Sequence, residues 1–256
     1  MPLRVHVLSP QDPSHVALIP KIAEIHLAAW LSNTLYTKIY YGPPTSHRAV
    51  GEAMGQRHLD AFTSNPSSNF AVVVDDDIET TSTNIENGDD LILPARVIAF
   101  LKYDVFATVE ALNGRKDAGK RTWPPYTNIA LVSSFWGDIV KTRERFSKQL
   151  GPHVNVDLLA TLPSHHRRGA GKLLMDHAMG KIDELHLPGT LEGSPQGLKL
   201  YSSVGFEPVG DIWVDLLRFE DGGDKGDEWA KAEGRVPGQG EGWYKHVAMI
   251  RQPRPQ

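Results

Sequence analysis

The chain has 256 residues, 40% of them hydrophobic and 23% charged, and a formal net charge of -4 at pH 7. That balance supplies a substantial core and argues against a nucleic-acid binder, which carries a basic bias. With no cysteine in the chain, disulfide stapling, thiolate metal sites and cysteine nucleophiles are excluded.

The N-terminal stretch lacks the apolar centre of a signal peptide, since His6, Gln11 and Asp12 interrupt it. No run of about 18 apolar residues occurs, so the expectation is a cytoplasmic protein with no membrane contact. Residues 3–7 alternate as a first strand. Asp12-Pro13-Ser14 signals a helix start, and Leu18, Ile22, Ile25 and Ala29 keep helical spacing up to Trp30, with Pro20 moving the regular start later. Residues 40–44 break the chain. Val50, Met54, His58 and Phe62, four apart, predict a helix over 46–62. Residues 69–74 read as a strand, the acidic and turn-rich 75–93 as an exposed hairpin loop, and 96–103 as the returning strand. Residues 107–128 are irregular, with Trp123-Pro124-Pro125-Tyr126 as a rigid aromatic patch. A helix follows over 133–150, and its charged segment 141–145 is expected to face water.

From 153 to about 186 the pattern is an apolar strand, a basic turn, two glycines and an amphipathic helix. Leu187-Pro188-Gly189 ends that helix. A short strand at 191–192, a short helix over 196–204, a strand within 206–219, a glycine-rich charged loop over 220–242 and a last strand over 243–250 complete the chain. No repeat and no interdomain linker stands out, so residues 1–256 read as a single domain, a mixed α/β sheet layered with helices.

The glycine turn carries the chemistry. A helix start offers N–H groups that have no partner within the helix, and its dipole favours negative charge there, so a pyrophosphate is the natural guest. A Walker A loop fails, because His166 stands where its first glycine belongs and Leu173 follows Gly171-Lys172. A dinucleotide fingerprint fails at Leu174, its third glycine position. A third pattern fits. Leu159-Ala160-Thr161-Leu162-Pro163 precedes His166-Arg167-Arg168-Gly169-Ala170-Gly171, and Ser194-Pro195-Gln196-Gly197-Leu198-Lys199-Leu200-Tyr201-Ser202-Ser203-Val204-Gly205-Phe206 follows. Together these segments resemble the Gcn5-related N-acetyltransferases (GNAT). That family shows Leu-x-Val-x-Pro, then Gln/Arg-x-x-Gly-x-Gly/Ala, then Asn-x-x-Ala-x-x-Leu-Tyr-x-x-x-Gly-Phe. Departures fall at Thr161, His166, Ser194 and Gly197.

The resemblance implies a central, mostly antiparallel twisted sheet, splayed at a cofactor cleft and flanked by helices. It implies acetyl-CoA as cofactor and direct transfer of the acetyl group to a primary amine, expected to belong to a small molecule, without a covalent acyl-enzyme. The main chain of Leu159, Ala160 and Thr161 would pair with the pantetheine arm, which Ser194 would also meet in place of the usual Asn. The amides of Arg167, Arg168, Gly169, Ala170, Gly171 and Lys172 would wrap the pyrophosphate, with His166, Arg167, Arg168 and Lys172 adding side-chain contacts. Tyr201 would lie at the cofactor and protonate the departing thiolate. Strand alternation places His153, Asn155, Asp157 and Leu159 on one face. Asp157 is the first expectation for the base, provided its surroundings raise its pKa. His153 is the second, and a water relay the third.

Trp30, Tyr36 and Trp123 are expected to line an aromatic acceptor pocket. The scattered histidines suggest no metal site. A monomer or homodimer is expected. Two other readings stay open: a CoA-binding sensor with lost or altered transfer activity, and an O-acyltransferase on the same scaffold.

Overall fold

A computed structural model describes residues 3–79, 92–114, 122–220 and 222–255. Most of the expected 75–93 hairpin loop, and the middle of the 107–128 segment, lie outside the described residues. Strand β1 (Leu3–Val7) leads to a one-turn helix α1 (Pro13–Val16), capped by the Asp12 carboxylate, which accepts from Ser14 N–H. Helix α2 (Ile19–Leu31) takes Pro20 in its first turn, where no N–H is needed. Helix α3 (Thr34–Ile39), capped by the Asn33 side chain, was not expected. Helix α4 (His47–Ser64) buries Val50, Met54, His58 and Phe62, the residues that announced it. Strands β2 (Ser68–Asp75) and β3 (Val97–Phe106) follow, then the short α5 (Val109–Asn113).

Helix α6 (Ile129–Leu150) starts four residues before the expected position, at an Asn128 cap. Strand β4 (His153–Thr161), helix α7 (Ala170–Leu185), strand β5 (Gly189–Gly193), helix α8 (Leu198–Ser203), strand β6 (Glu207–Asp215) and strand β7 (Trp243–Arg251) close the order. The expected 220–242 loop contains a two-turn helix, α9 (Gly226–Ala232).

One seven-stranded sheet runs β1-β2-β3-β4-β5-β7-β6. Every neighbouring pair is antiparallel except β4 and β5. Helix α7 packs on one face, against Ala71, Leu101, Val154, Val156 and Leu191. On the other face α2 and α4 cover Phe70, Val72, Phe100 and Ala160, while α3 and α6 cover Ile212, Val214 and Tyr244. Covering both faces is why β2 and β3 read as nearly continuous apolar runs.

Two features of β4 position everything that follows. It pairs with β5 only at Val154↔Gly189, Asn155↔Thr190 and Val156↔Leu191, and then the two strands part. It also carries a bulge: Tyr103 faces Val156 and Lys102 faces Leu158, so Asp157 is the extra residue. The bulge inverts the expected alternation. Leu159 packs with Val154 and Val156 on the α7 side, opposite to the face assigned from the sequence, while Leu158 and Ala160 pack on the α2 side.

Candidate active site

The turn between β4 and α7 is built around left-handed backbone. Arg167 has φ 60° and Gly169, at the helix N-cap, has φ 92°. The first turn-spanning bond of the helix is Leu173 N–H to Gly169 C=O. The N–H groups of Arg167, Gly169, Ala170, Gly171 and Lys172 therefore donate to no protein group among the described residues. At Gly171 a Cβ would meet Leu200 Cδ2 at 3.3 Å, so glycine lets the first turn of this helix pack close against α8. A concave run of free amides on a helix N-terminus fits a pyrophosphate. Beyond the parting of the strands, residues 158–161 keep β3 on one edge and have no strand on the edge towards β5. That open edge fits an amide-bearing arm.

Side chains around the turn depart from expectation. The Arg168 guanidinium does not turn to the anion site. It pairs with the buried Asp75 carboxylate at 2.6 Å and donates to His165 Nδ1, tying the turn to the end of β2. His166 Nε2 lies 3.1 Å from the Thr161 carbonyl and donates to it, so that carbonyl is not open. Lys172 is exposed and pairs with Asp176 one turn on. Arg167 is exposed.

At the fork, Asp157 of β4 and Glu192 of β5 are the first residues beyond the last paired position. Arg143 of α6 spans them, with Nη2 at 2.8 Å from Asp157 Oδ1 and 2.8 Å from Glu192 Oε2. Lys102 of β3 closes the other side of Asp157, its Nζ at 2.6 Å from Oδ2. Burial alone would raise the Asp157 pKa, but the adjacent Lys102 and Arg143 cations outweigh it and hold the carboxyl far below the usual range. The base role expected of Asp157 called for a raised pKa; its surroundings lower it instead. Segment 141–145 is corrected, since Thr142 and Arg143 turn inward while Lys141, Glu144 and Arg145 face water.

His153 sits four positions down β4 from Asp157, roughly 13 Å at the strand rise. It is buried beside Phe106 and donates from Nδ1 to Gly151 C=O at 2.7 Å. That place is remote from the fork.

Tyr201 of α8 reaches the top of β5. A Cβ at Gly197 would lie 2.4 Å from its Cε2, and one at Gly193 3.0 Å from its Cδ2, so its ring lies against both glycines. The departure at Gly197 therefore has a steric reason. Burial pushes the phenol up to about 12, leaving it protonated at neutral pH. Ser194 accepts from Gly197 N–H through its carbonyl, shaping the turn into α8.

Trp30, Tyr36 and Trp123 gather in one cluster with Phe135, Trp136 and Tyr244. Trp30 stacks on Tyr36 at 3.9 Å between ring centroids. On the same face His246 of β7 lies between Phe135 and Tyr244, with a buried Nδ1 that has no partner among the described residues. Its burial lowers its pKa to about 4. Sequence reasoning missed Lys102, Arg143, Glu192 and His246. For Arg143 a signal existed: it lies four residues after Ile139, in line with the buried face of α6. No group of residues able to hold a metal ion occurs among the described residues, and no described helix is long and apolar enough to cross a membrane.

Residues 139–215 match the family model described as an acetyltransferase (GNAT) domain. No curated protein matches the sequence. Among solved structures the chain is similar to the histone acetyltransferase HPA2 and related acetyltransferase from Corynebacterium glutamicum, with 16% identity, a TM-score of 0.53 and coverage of 100% of this chain and 99% of that one. It is also similar to Arabidopsis thaliana NAA60 bound to a bisubstrate analogue, with 10% identity, a TM-score of 0.50 and 100% of both chains covered. Mosquito arylalkylamine N-acetyltransferase like 5b gives 14% identity, a TM-score of 0.50 and coverage of 98% and 100%. At such identities the likeness is one of fold.

Proposed function

We infer that this chain, which belongs to the GNAT superfamily, is an acetyl-CoA-dependent N-acetyltransferase that acylates the primary amine of a small molecule by direct attack. The observation that carries the reading is the run of unpartnered N–H groups at Arg167 and Gly169 to Lys172, placed beside the fork between β4 and β5. The aromatic cluster of Trp30, Tyr36 and Trp123 supports a small amine as acceptor.

Bound at this site, acetyl-CoA would supply an activated acyl group on a thioester. The amides of Arg167 to Lys172 would hold the pyrophosphate, with Arg167 and Lys172 adding charge at its rim. The main chain of Leu159, Ala160 and the N–H side of Thr161 would hold the arm, near Ser194. Tyr201, protonated at neutral pH, would supply its Oη proton to the departing thiolate. Asp157 is held as a carboxylate and takes no part in proton removal, so the acceptor's proton leaves through water. Residues 1–256 act in this reading as one domain.

Calorimetry with CoA, followed by a thiol-release assay with acetyl-CoA and a panel of primary amines, is the test. Micromolar binding and amine-dependent thiol release are expected. Well-folded protein with no affinity for CoA would overturn the reading. Tight CoA binding with no turnover on any amine would favour the sensor alternative, and an ester product would favour acyl transfer to a hydroxyl.

A further inference from the structure

We propose that Arg143 of α6 sets the opening between β4 and β5, and through it the placement of the acyl end of the cofactor. The inference rests on the acetyltransferase reading for its effect on catalysis, but its structural part stands on geometry alone.

Below the fork the strands are joined by their ladder and by Thr190 Oγ1, which donates to Asn155 Oδ1 at 3.1 Å. Above it each strand follows its outer neighbour. β4 stays paired with β3 as far as Thr161↔Ala99, and β5 with β7 as far as Gly193↔Val247. The twist of the sheet therefore carries the two strands apart. At the branching position the bridge is Arg143, whose Nη2 contacts both Asp157 and Glu192 while Nε adds a second bond to Glu192 Oε2 at 3.1 Å.

Without a cation there, two carboxylates on adjacent strands would face each other in a buried site, and their repulsion would widen the gap. With it, Lys102, Asp157, Arg143 and Glu192 alternate in sign across the gap, and Asp104 stands behind Lys102 at 3.8 Å. The arrangement does a second thing. Asp157 is the bulged residue, and holding its carboxylate from both sides holds the bulge that orients Leu158 to Thr161. The guanidinium itself is fixed by its own helix, lying 5.5 Å over the Trp136 ring. A lysine at 143 would present a single point charge and reach one carboxylate firmly, not both. Arg143 is thus a positioning residue, acting through two strands.

The test compares the wild-type chain with Arg143→Met and Arg143→Lys, each first checked for a cooperative unfolding transition. In cofactor-free protein, hydrogen exchange of the peptides over 157–161 and 191–193 is expected to rise at least ten-fold in Arg143→Met and less in Arg143→Lys, while α7 stays protected. CoA affinity should fall by less than kcat, because the amides of α7 are untouched and only the arm-holding segment 158–161 loosens; kcat should fall at least ten-fold against a change of about three-fold in KM for acetyl-CoA. Unchanged exchange at both strand segments in a folded Arg143→Met chain overturns the proposal. Should that variant fail to fold, Arg143→Lys carries the same exchange criterion. A wild-type chain that binds no CoA would end the acetyltransferase reading while the exchange data still decide the role of Arg143.

Discussion

On the α7 side of β4 the site is made of main chain; on the α6 side it is made of side chains. The first side presents N–H groups of consecutive residues at a helix start, so most side chains there are interchangeable. That explains why His166 and Thr161 depart from the family pattern while the N–H run persists, and why Arg168 is available to anchor the turn on Asp75. The second side assembles Lys102, Arg143, Asp157, Glu192 and His246 from five separate elements, and Tyr201 of α8 adds a side chain at the top of β5. There each side chain is specified and no charge can be dropped alone. In the proposed reading an anion site made of main chain depends little on side-chain identity, whereas the fork depends on each of its charges.

The sharpest way to separate the two sides is Tyr201→Phe. Removing one hydroxyl should lower kcat by roughly 10²–10⁴-fold, the usual weight of a general acid, while CoA affinity stays within a few-fold. A kcat within two-fold of wild type would take the acid role away from Tyr201.

Asp157→Ala comes next. It leaves Lys102 and Arg143 buried without their shared carboxylate. Breaking a buried ion pair from one side costs about 3–5 kcal/mol, readable by urea unfolding at pH 7. A base would instead be lost from kcat with stability intact, and that result would restore Asp157 to the chemistry.

The same contrast explains what the sequence could and could not reveal. Glycines at 169 and 171 report backbone requirements directly, and a strand, turn and helix in sequence succession form one local unit, so the cradle is legible. The fork is not, because its partners are 55 and 49 positions apart and nothing local marks them as neighbours. Arg143 sits in a run of charges that looks solvated. Only the alignment of Leu131, Phe135 and Ile139 hints that the next position in that row turns inward. The β4 bulge was equally hidden, since it depends on register with β3, and it put Leu159 on the opposite face from Asp157. Helix α9 escaped notice because a glycine-rich, charged stretch reads as loop whether or not two turns form within it.

Gly169→Val probes the main-chain side. At φ 92° a β-branched residue is strained, so the turn should relax and misdirect its amides. CoA affinity should weaken roughly 100-fold, about 2.7 kcal/mol, with Gly169→Asn, which tolerates positive φ better, losing less. Calorimetry at fixed salt measures both. Equal affinity for all three chains would mean that the N–H run is not the phosphate site.

Acid sensitivity gives the smallest and most selective contrast. Three histidines on the side-chain face, His26, His58 and His246, have pKa values lowered chiefly by burial, His58 to about 3 and His246 to about 4. The unfolded chain takes up these protons first, near the ordinary value of about 6.5. Their neutral forms therefore cost the fold nothing above that pH, and stability falls as pH drops from there towards each folded value. The slope should be about 1.4 kcal/mol per pH unit for each imidazole, or about 2 kcal/mol each at pH 5. Asp157, whose pKa is lowered by its two cations, adds a loss only below the ordinary carboxylate range, near pH 4. On the α7 side only the half-buried His177 contributes in the same direction, among the described histidines whose pKa is lowered. Urea unfolding at pH 7, 6 and 5 should show this decline in the wild-type chain and a shallower one in His246→Gln, by one imidazole's share. Identical slopes for the two chains would show that the ring at 246 is hydrated or paired, not held neutral by the aromatic wall of Phe135 and Tyr244.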